Sequence, residues 1–380
     1  MRQGDFVRQM DSGSSAIYGT PSQWHKIHMD LPLLLLLMIL AGTGLFVLYS
    51  ASGQSSHYVN RQLSYYGVGL LVMLITAQIP PRFLERWAVI PYVGGVALLV
   101  GVLLFGIGAK GAQRWLELGG FRFQPSEILK IAVPLMLASY LARRTLPPSF
   151  KHVFLSLIFI AIPPLLVAFQ PDLGTAILIG VAGFFVLFLA GLPKRYLGFA
   201  LLAAIVVLPL MWFYGLRDYQ QQRILTMFDP EADKLGAGWN IIQSTIAIGS
   251  GGIHGKGWMQ GTQSQLDFLP ESHTDFIIAV LAEEFGLIGV FLLMSLFLLI
   301  ILRCVMISFR AQSMFGCLLA GSLTLTFFVY IFVNMGMVSG ILPVVGVPLP
   351  FMSYGGTSIV TLMLGFGMLM SVSTERKRSG

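Results

Sequence analysis

The chain has 380 residues, 56% of them hydrophobic and only 11% charged, with a formal net charge of +7 at pH 7. A soluble domain carries roughly 25% charged residues, so a soluble enzyme, a disordered chain and a secreted disulfide scaffold are all excluded. The basic excess reads as a topology signal on loops, not as a nucleic-acid-binding face.

A helix that spans a membrane needs about 20 mostly apolar residues. After a polar tail, residues 1–26, apolar runs fall at about 31–51, 64–79, 88–107, 127–141, 153–169, 174–190, 197–214, 276–301, 316–335 and 357–373. The first is too long for a signal-peptide core and no A-x-A site follows it, so it is read as a retained span. The fourth carries Glu127 and Lys130 at its start. The predicted fold class is all-α, a polytopic membrane protein of about ten transmembrane helices. One membrane domain covers 27–374, with a large external loop, 215–275, between spans 7 and 8 and a short tail at 375–380.

Orientation follows from Lys and Arg. With the N-terminus inside, every cytoplasmic segment holds at least two: Arg2, Arg8 and Lys26; Arg82 and Arg86; Arg143, Arg144 and Lys151; Lys194 and Arg195; Arg303 and Arg310; Arg376, Lys377 and Arg378. The short connections at 170–174 and 336–356 hold none. Short loops weigh most in this rule, and an even number of spans puts both termini in the cytoplasm. Cys304 and Cys317 then lie near a reducing cytoplasmic turn, where a structural disulfide is not expected.

Three external regions are unusual. The stretch 108–130 interleaves Lys110, Arg114, Arg122 and Lys130 with Trp115, Phe121 and Phe123. The loop 215–275 carries apolar periodic pieces, around Ile224–Phe228 and Trp239–Ile248, that predict interfacial helices. The stretch 336–357 holds prolines and glycines that forbid a regular helix, and irregular backbone at membrane depth is tolerated only against protein or a wet cavity.

Two glycine patterns are discarded. Gly106, Gly108 and Gly111 satisfy G-x-G-x-x-G, but no predicted strand precedes them. The run GSGGIHGKGW from Gly249 fails the P-loop spacing, and is read as a glycine-rich turn at a helix C-terminus or as an anion-binding nest.

Charges beside spans are rare and usually functional. Glu127 and Lys130 are spaced i, i+3 and share a helix face; a self-neutralising pair and a polar site at a cavity mouth both fit. Asp172 fits an N-cap. Glu283 and Glu284 lie two turns into the eighth span, with no partner legible. Asp275 begins that span directly after the long loop. From physics alone it is either a dipole-capping carboxylate or a base. Arg61, Lys110, Arg114, Arg122, Lys130, Arg217, Arg223 and Lys256 gather on the external side, against the usual bias. Arg and Lys hold phosphate and carboxylate groups, so an external site for an anionic amphiphile is expected. Whether it serves transport or catalysis stays open at this level.

The stretches KGAQRW (110–115), FQPSEILK (123–130), QPDLGT (170–175), GSGGIHGKG (249–257), GTQSQLDFLPESHTDFI (261–277), AEEFG (282–286) and GILPVVGVPLPFMSYGG (340–356) resemble the SEDS family of bacterial shape, elongation, division and sporulation proteins. The resemblance runs from about residue 25 to the C-terminus, and KGAQRW with the short N-terminal tail is nearer the elongation branch. It implies a multi-pass protein of the bacterial cytoplasmic (inner) membrane that polymerises lipid II into β-1,4 glycan strands at the outer face for cell elongation and rod shape. The implied partner is the class B penicillin-binding protein of the elongation complex, within membrane lipid. The family's essential aspartate falls on Asp275, its tryptophan on Trp115, and its loop cations on Arg114, Arg122 and Lys130; Arg61, Gln124 and Glu127 fit the same cavity. The implied cofactor set is empty unless a divalent cation, Mg or Mn, joins Arg and Lys in stabilising the departing diphosphate. A lipid II flippase is the alternative of another class.

Overall fold

A computed structural model describes residues 28–109, 112–118, 121–233, 236–266 and 268–375. Each of the apolar runs is a helix. The first, α1 (Leu31–Ala51), starts at Asp30, whose carboxylate accepts from Leu33 N at 3.1 Å. Next, α2 (Ser56–Ala77) bends by 97° into the short α3 (Pro81–Trp87), and α4 (Val89–Phe105) follows. Then come α5 (Pro125–Ala142), α6 (Phe150–Phe169), α7 (Leu173–Leu189) and α8 (Lys194–Leu210), the last running into a π-helical turn, Met211–Gly215. The long loop holds α9 (Asp218–Phe228), α10 (Ala237–Gly251) and the short α11 (Thr262–Gln265), so both apolar periodic pieces are helical as expected. The chain closes with α12 (Ile277–Arg310), α13 (Met314–Val338) and α14 (Gly356–Ser373).

Among the described residues, six helices are long and apolar enough to cross a membrane, and a seventh if the bent α2–α3 pair is one span. The outward side chains of the long and the shorter apolar helices are large and apolar: Leu104, Phe154, Phe169, Phe199, Leu208 and Phe291 are all exposed. An apolar exterior of this extent needs lipid as its solvent, and the protein is a multi-pass membrane protein.

The helical reading is right for nearly the whole chain, with one local difference. The described residues within 107–123 form a three-stranded antiparallel sheet, β1 (Ile107–Ala109), β2 (Ala112–Leu118) and β3 (Phe121–Phe123), with Ile107 opposite Trp115 and Glu117 opposite Arg122. The alternation Phe121-Arg122-Phe123 after a Gly-Gly pair is a short hairpin signal.

The bundle has two distinct ends. At one, Arg303 grips Asp30 with two bonds, Nε to Oδ1 at 3.0 Å and Nη2 to Oδ2 at 2.7 Å, and His28 meets Thr374. This joins the start of α1 to the far half of α12 and the end of α14. At the other end, Ser272 Oγ donates to Ala51 O, Gln62 Nε2 to Ser353 O, Tyr219 OH to Pro171 O and Ser244 Oγ to Val338 O. The segments 215–275 and 336–357, both singled out in the sequence, meet there.

α12 is broken at Gly286, whose φ of 63° and ψ of −161° are open essentially to glycine alone. The break frees helix groups, and the glycine-rich turn after α10 takes them up. Lys256 N and Gly257 N donate to the carbonyls of Glu283 and Glu284 at 3.0 Å, and Leu287 N donates to Gly252 O at 3.0 Å. The phosphate-loop lookalike is thus a turn at a helix C-terminus docked on a broken helix, the plainer of the two sequence readings.

Candidate functional site

Asp275 lies in the turn 271–276, one residue before Phe276, which occupies the N-cap position of α12. The carboxylate therefore stands just outside the position a capping side chain would take. Two neighbours lie against this residue. The Asn334 side chain of α13 donates to the Asp275 carbonyl at 2.9 Å and to the Val347 carbonyl at 2.8 Å. Gly346, at φ +79°, lies so close that a methyl built on it would sit 3.4 Å from Asp275 Oδ2. The proline- and glycine-rich segment after α13 thus bends back against the carboxylate, protein-packed as irregular backbone within a membrane must be.

From there a chain of contacts reaches the polar start of α5. Val347 packs with Tyr330 and Leu178 in a small buried cluster. The Tyr330 ring lies 4.9 Å from Lys130 Nζ, and Lys130 is paired with Glu127. Thr361 of α14 donates to Glu127 Oε2 at 3.4 Å. Both partners of the pair are buried, so the self-neutralising pair and the cavity-mouth site turn out to be one arrangement. A cavity of about 40 Å³ opens between α5, α13 and α14. Glu127, Lys130, Tyr330 and Thr361 line its polar end, and Leu323, Phe327, Phe366 and Leu369 its apolar end. This volume holds a few water molecules.

Gln124 donates to Asp172 Oδ2 at 3.3 Å, while the other Asp172 oxygen accepts from Thr175 N at the start of α7. The N-cap reading of Asp172 is therefore correct. Arg223 Nη1 donates to Val344 O at 3.1 Å, tying the long loop to the 339–355 segment. Arg61 donates from Nε to Tyr65 OH at 2.9 Å on the outer end of α2. Trp115 is half-buried on β2, a strand that packs on α4 and α5. The backbones of Arg114 and Arg122 lie on β2 and β3; their side chains, and Lys110, lie outside the described residues.

The structure supplies partners that the sequence left open. Glu283 is fully buried and accepts from Lys256 Nζ at 2.7 Å, Thr262 Oγ1 at 3.1 Å and Gln263 N at 3.0 Å. Glu284 accepts from the Ser50 hydroxyl and from Met259 N. Tyr330 and Asn334 carry no sequence signal, since each sits in an unbroken apolar run. His273, two residues before Asp275, is held below the usual histidine range, first by burial and against the opposing pull of the Glu271 carboxylate. Among the described residues no three His, Cys, Asp or Glu side chains gather in a cluster that could hold a metal ion.

This arrangement offers a carboxylate at one end of the bundle and a compensated cation beside an apolar slot. Residues 30–378 match the family model FtsW/RodA/SpoVE, described as "Cell cycle protein". The chain is 55% identical to the peptidoglycan glycosyltransferase MrdB of Escherichia coli K12, over 93% of this chain and 96% of that protein. It is 37% identical to a probable peptidoglycan glycosyltransferase FtsW of Geobacter metallireducens, over 92% and 95%. In fold it is similar to a chain of a peptidoglycan synthase complex that coordinates polymerization and crosslinking, with TM-score 0.79 and 29% identity over 91% of this chain and 97% of that one. The crystal structure of the rod shape determining protein RodA of Thermus thermophilus gives TM-score 0.69 and 27% identity over 91% and 96%. The chain belongs to the FtsW/RodA/SpoVE family of cell cycle proteins, the SEDS family.

Proposed function

We propose that this protein is a peptidoglycan glycosyltransferase that polymerises lipid II for cell elongation, with Asp275 as general base. The observation that carries the activity is 55% identity, nearly end to end, to a protein named for it. Support for Asp275 comes from its setting, a residue whose backbone carbonyl is held by Asn334 and whose carboxylate lies beside Gly346, at the end of the bundle where the loops converge. In this reading residues 27–374 are one membrane domain, the loop 215–275 is external, and both termini are cytoplasmic. The partner is a class B penicillin-binding protein in the same membrane.

The chemistry follows from the groups present. Asp275 takes the proton from the 4-hydroxyl of the acceptor sugar. That oxygen forms a bond to the anomeric carbon of the donor as the bond to the α-linked diphosphate breaks on the opposite face. The configuration inverts and a β-1,4 link results. A positioned base contributes about 10²–10⁴-fold. The leaving diphosphate carries its electron pair away toward cations, for which Arg114, Arg122 and Lys130 are the candidates. Trp115, Gln124, Glu127 and Arg61 complete the substrate-binding set. Lys130 is neutralised by Glu127 until a phosphate competes for it.

Purified protein given lipid II in detergent tests this reading. Glycan strands are expected, and are expected to vanish in Asp275→Ala while the thermal transition persists. If no polymer forms even with the cognate penicillin-binding protein present, the reading fails. Lipid II movement across vesicles without polymer would point to the flippase instead.

A further inference from the structure

At the end of the bundle away from Asp275, the short helix α3 lies crosswise. It meets α2 at 97°. Ser371, near the end of α14, donates to the Ile79 carbonyl just before α3, which places it at the Asp30–Arg303 end. A helix turned across a span runs along the membrane surface. At about 3.6 residues per turn, the sequence PRFLERWA divides into three faces. Pro81, Leu84 and Ala88 are buried against the bundle. Phe83 and Trp87 are exposed, with ring centroids 6.0 Å apart. Arg82, Glu85 and Arg86 form the third face, and both arginines are exposed.

The basic face is held in place. Ser139 Oγ of α5 donates to Glu85 O at 2.7 Å. Arg143, directly after α5, donates from Nε to Glu85 Oε1 at 3.0 Å and from Nη2 to Glu85 O at 3.3 Å. Arg82 and Arg86 share the face of Glu85, so this corner holds three guanidiniums and one carboxylate. The Arg143 side chain keeps 57% of its surface exposed. In residues 31–116 and 128–171 Glu85 is the sole Asp or Glu. At the same end Asp30 is taken by Arg303 and Glu375 by Ser313. Basic loops and interfacial aromatic residues are ordinary in membrane proteins. Neither calls for a surface helix pinned by three hydrogen bonds, with its one carboxylate already engaged.

We propose that α3 and Arg143 form a binding site for the headgroup of an anionic phospholipid. The site is separate from the glycosyltransferase reading and does not depend on it. A phosphodiester carries one negative charge, and the planar guanidinium fork matches its oxygens two at a time. Arg82, Arg86 and Arg143 supply more positive charge than Glu85 offsets, and the surplus is what a phosphate meets. Phe83 and Trp87 decide between a lipid and a soluble phosphate. Their face adjoins the arginines and suits the boundary between headgroups and acyl chains, so the occupant has a chain beside its charge. α5 carries Lys130 near its start and Arg143 directly after its end. A lipid held here therefore fastens the end of α5 that lies away from Lys130.

The purified full chain in detergent is titrated with dioleoyl phosphatidylglycerol or dioleoyl phosphatidylcholine, and bound lipid is counted by native mass spectrometry. The unaltered chain is expected to prefer phosphatidylglycerol. Arg82→Gln with Arg86→Gln is expected to cut its retention by about tenfold to thirtyfold, the scale of two basic groups near a membrane surface, and to leave phosphatidylcholine unchanged. Lys194→Gln with Arg195→Gln is the control. It removes the same charge at the start of α8, on the same end of the bundle, where Tyr196 meets Phe150, and is expected to change little. Equal loss in the two double variants would assign the preference to general surface charge and overturn the site. Equal retention of both lipids by the unaltered chain also overturns it. So does displacement of phosphatidylglycerol by soluble glycerol 3-phosphate, which would make the occupant a free phosphate. Arg82 and Arg86 are exposed, so the thermal midpoint of their double variant without lipid is expected to match the unaltered chain. If it does not, the lipid preference of the unaltered chain and its resistance to glycerol 3-phosphate still decide.

Discussion

The side-chain amide of Asn334 on α13 donates to the backbone carbonyl of Asp275 at 2.9 Å and to that of Val347, in the segment after α13, at 2.8 Å. One buried residue thus clamps the turn that carries the carboxylate to the segment that closes over it. Removing Asn334 takes a donor from the buried Val347 carbonyl and from the part-buried Asp275 carbonyl, and a buried acceptor left unsatisfied costs about 1–3 kcal/mol. Asn334→Leu is expected to lower the thermal midpoint and to reduce polymerisation more than it weakens lipid II use, because the base is displaced rather than removed. Thermal scans with steady-state kinetics check this. Normal turnover in a folded Asn334→Leu protein would show that the clamp does not position Asp275.

Glu127 and Lys130 form a buried pair with Thr361 and Tyr330 around it. Breaking such a pair from one side costs about 3–5 kcal/mol, since the other charge stays buried, while replacing both with apolar groups is often neutral. Lys130→Met and Glu127→Leu are each expected to destabilise strongly, and the double variant to regain most of the loss. The double variant keeps its fold and loses polymerisation if Lys130 receives the diphosphate. Full activity in the double variant would limit the pair to packing.

The helices were legible because hydropathy alone decides them; Asp275 stood out as a carboxylate between a long loop and a span, but the residues alone left it between a helix cap and a base, and only the family resemblance favoured the base. The 339–355 segment announced its irregularity through Pro343, Pro348 and Pro350. What stayed hidden depends on distant pairing. Lys256 finds Glu283 from 27 positions away, and nothing local marks either as the other's partner. Tyr330 and Asn334 read as ordinary members of an apolar helix until Lys130 and Asp275 are brought beside them. The β1–β3 sheet was missed because β1 and β3 are three-residue strands, too short for a periodic signal to stand out from a polar loop.

His273 titrates below the ordinary histidine value because of its burial, with Glu271, Tyr58 and Tyr354 as its neighbours. A histidine with a depressed native pKa binds fewer protons than its unfolded form, so stability rises with pH where the two differ. The contribution is complete above about pH 6.5, the unperturbed value, and falls away as pH drops through the lower native pKa. Thermal scans at pH 7.5 and 5.5 are expected to show a larger acid loss in the natural protein than in His273→Phe. Equal losses in the two would place the sensitivity elsewhere.

Glu283 offers the sharpest test of how the long loop is held. Its carboxylate is inaccessible and collects Lys256, Thr262 and Gln263 N, all from the segment between α10 and α12. The Lys256 end is partly exposed, with 26% of its side chain accessible, so the pair can yield at the surface while the carboxylate cannot. Lys256→Met is therefore expected to be costlier than its surface position suggests, because it strands a buried negative charge. Glu283→Gln removes that charge and keeps the shape, so in the Lys256→Met background it is expected to restore part of the stability. Hydrogen exchange over 252–266 is the direct measurement. The single Lys256→Met change should raise exchange in this segment and leave the Asp30–Arg303 end unaltered. If exchange rises equally at both ends, the pair supports the whole bundle and not the loop that leads into Asp275.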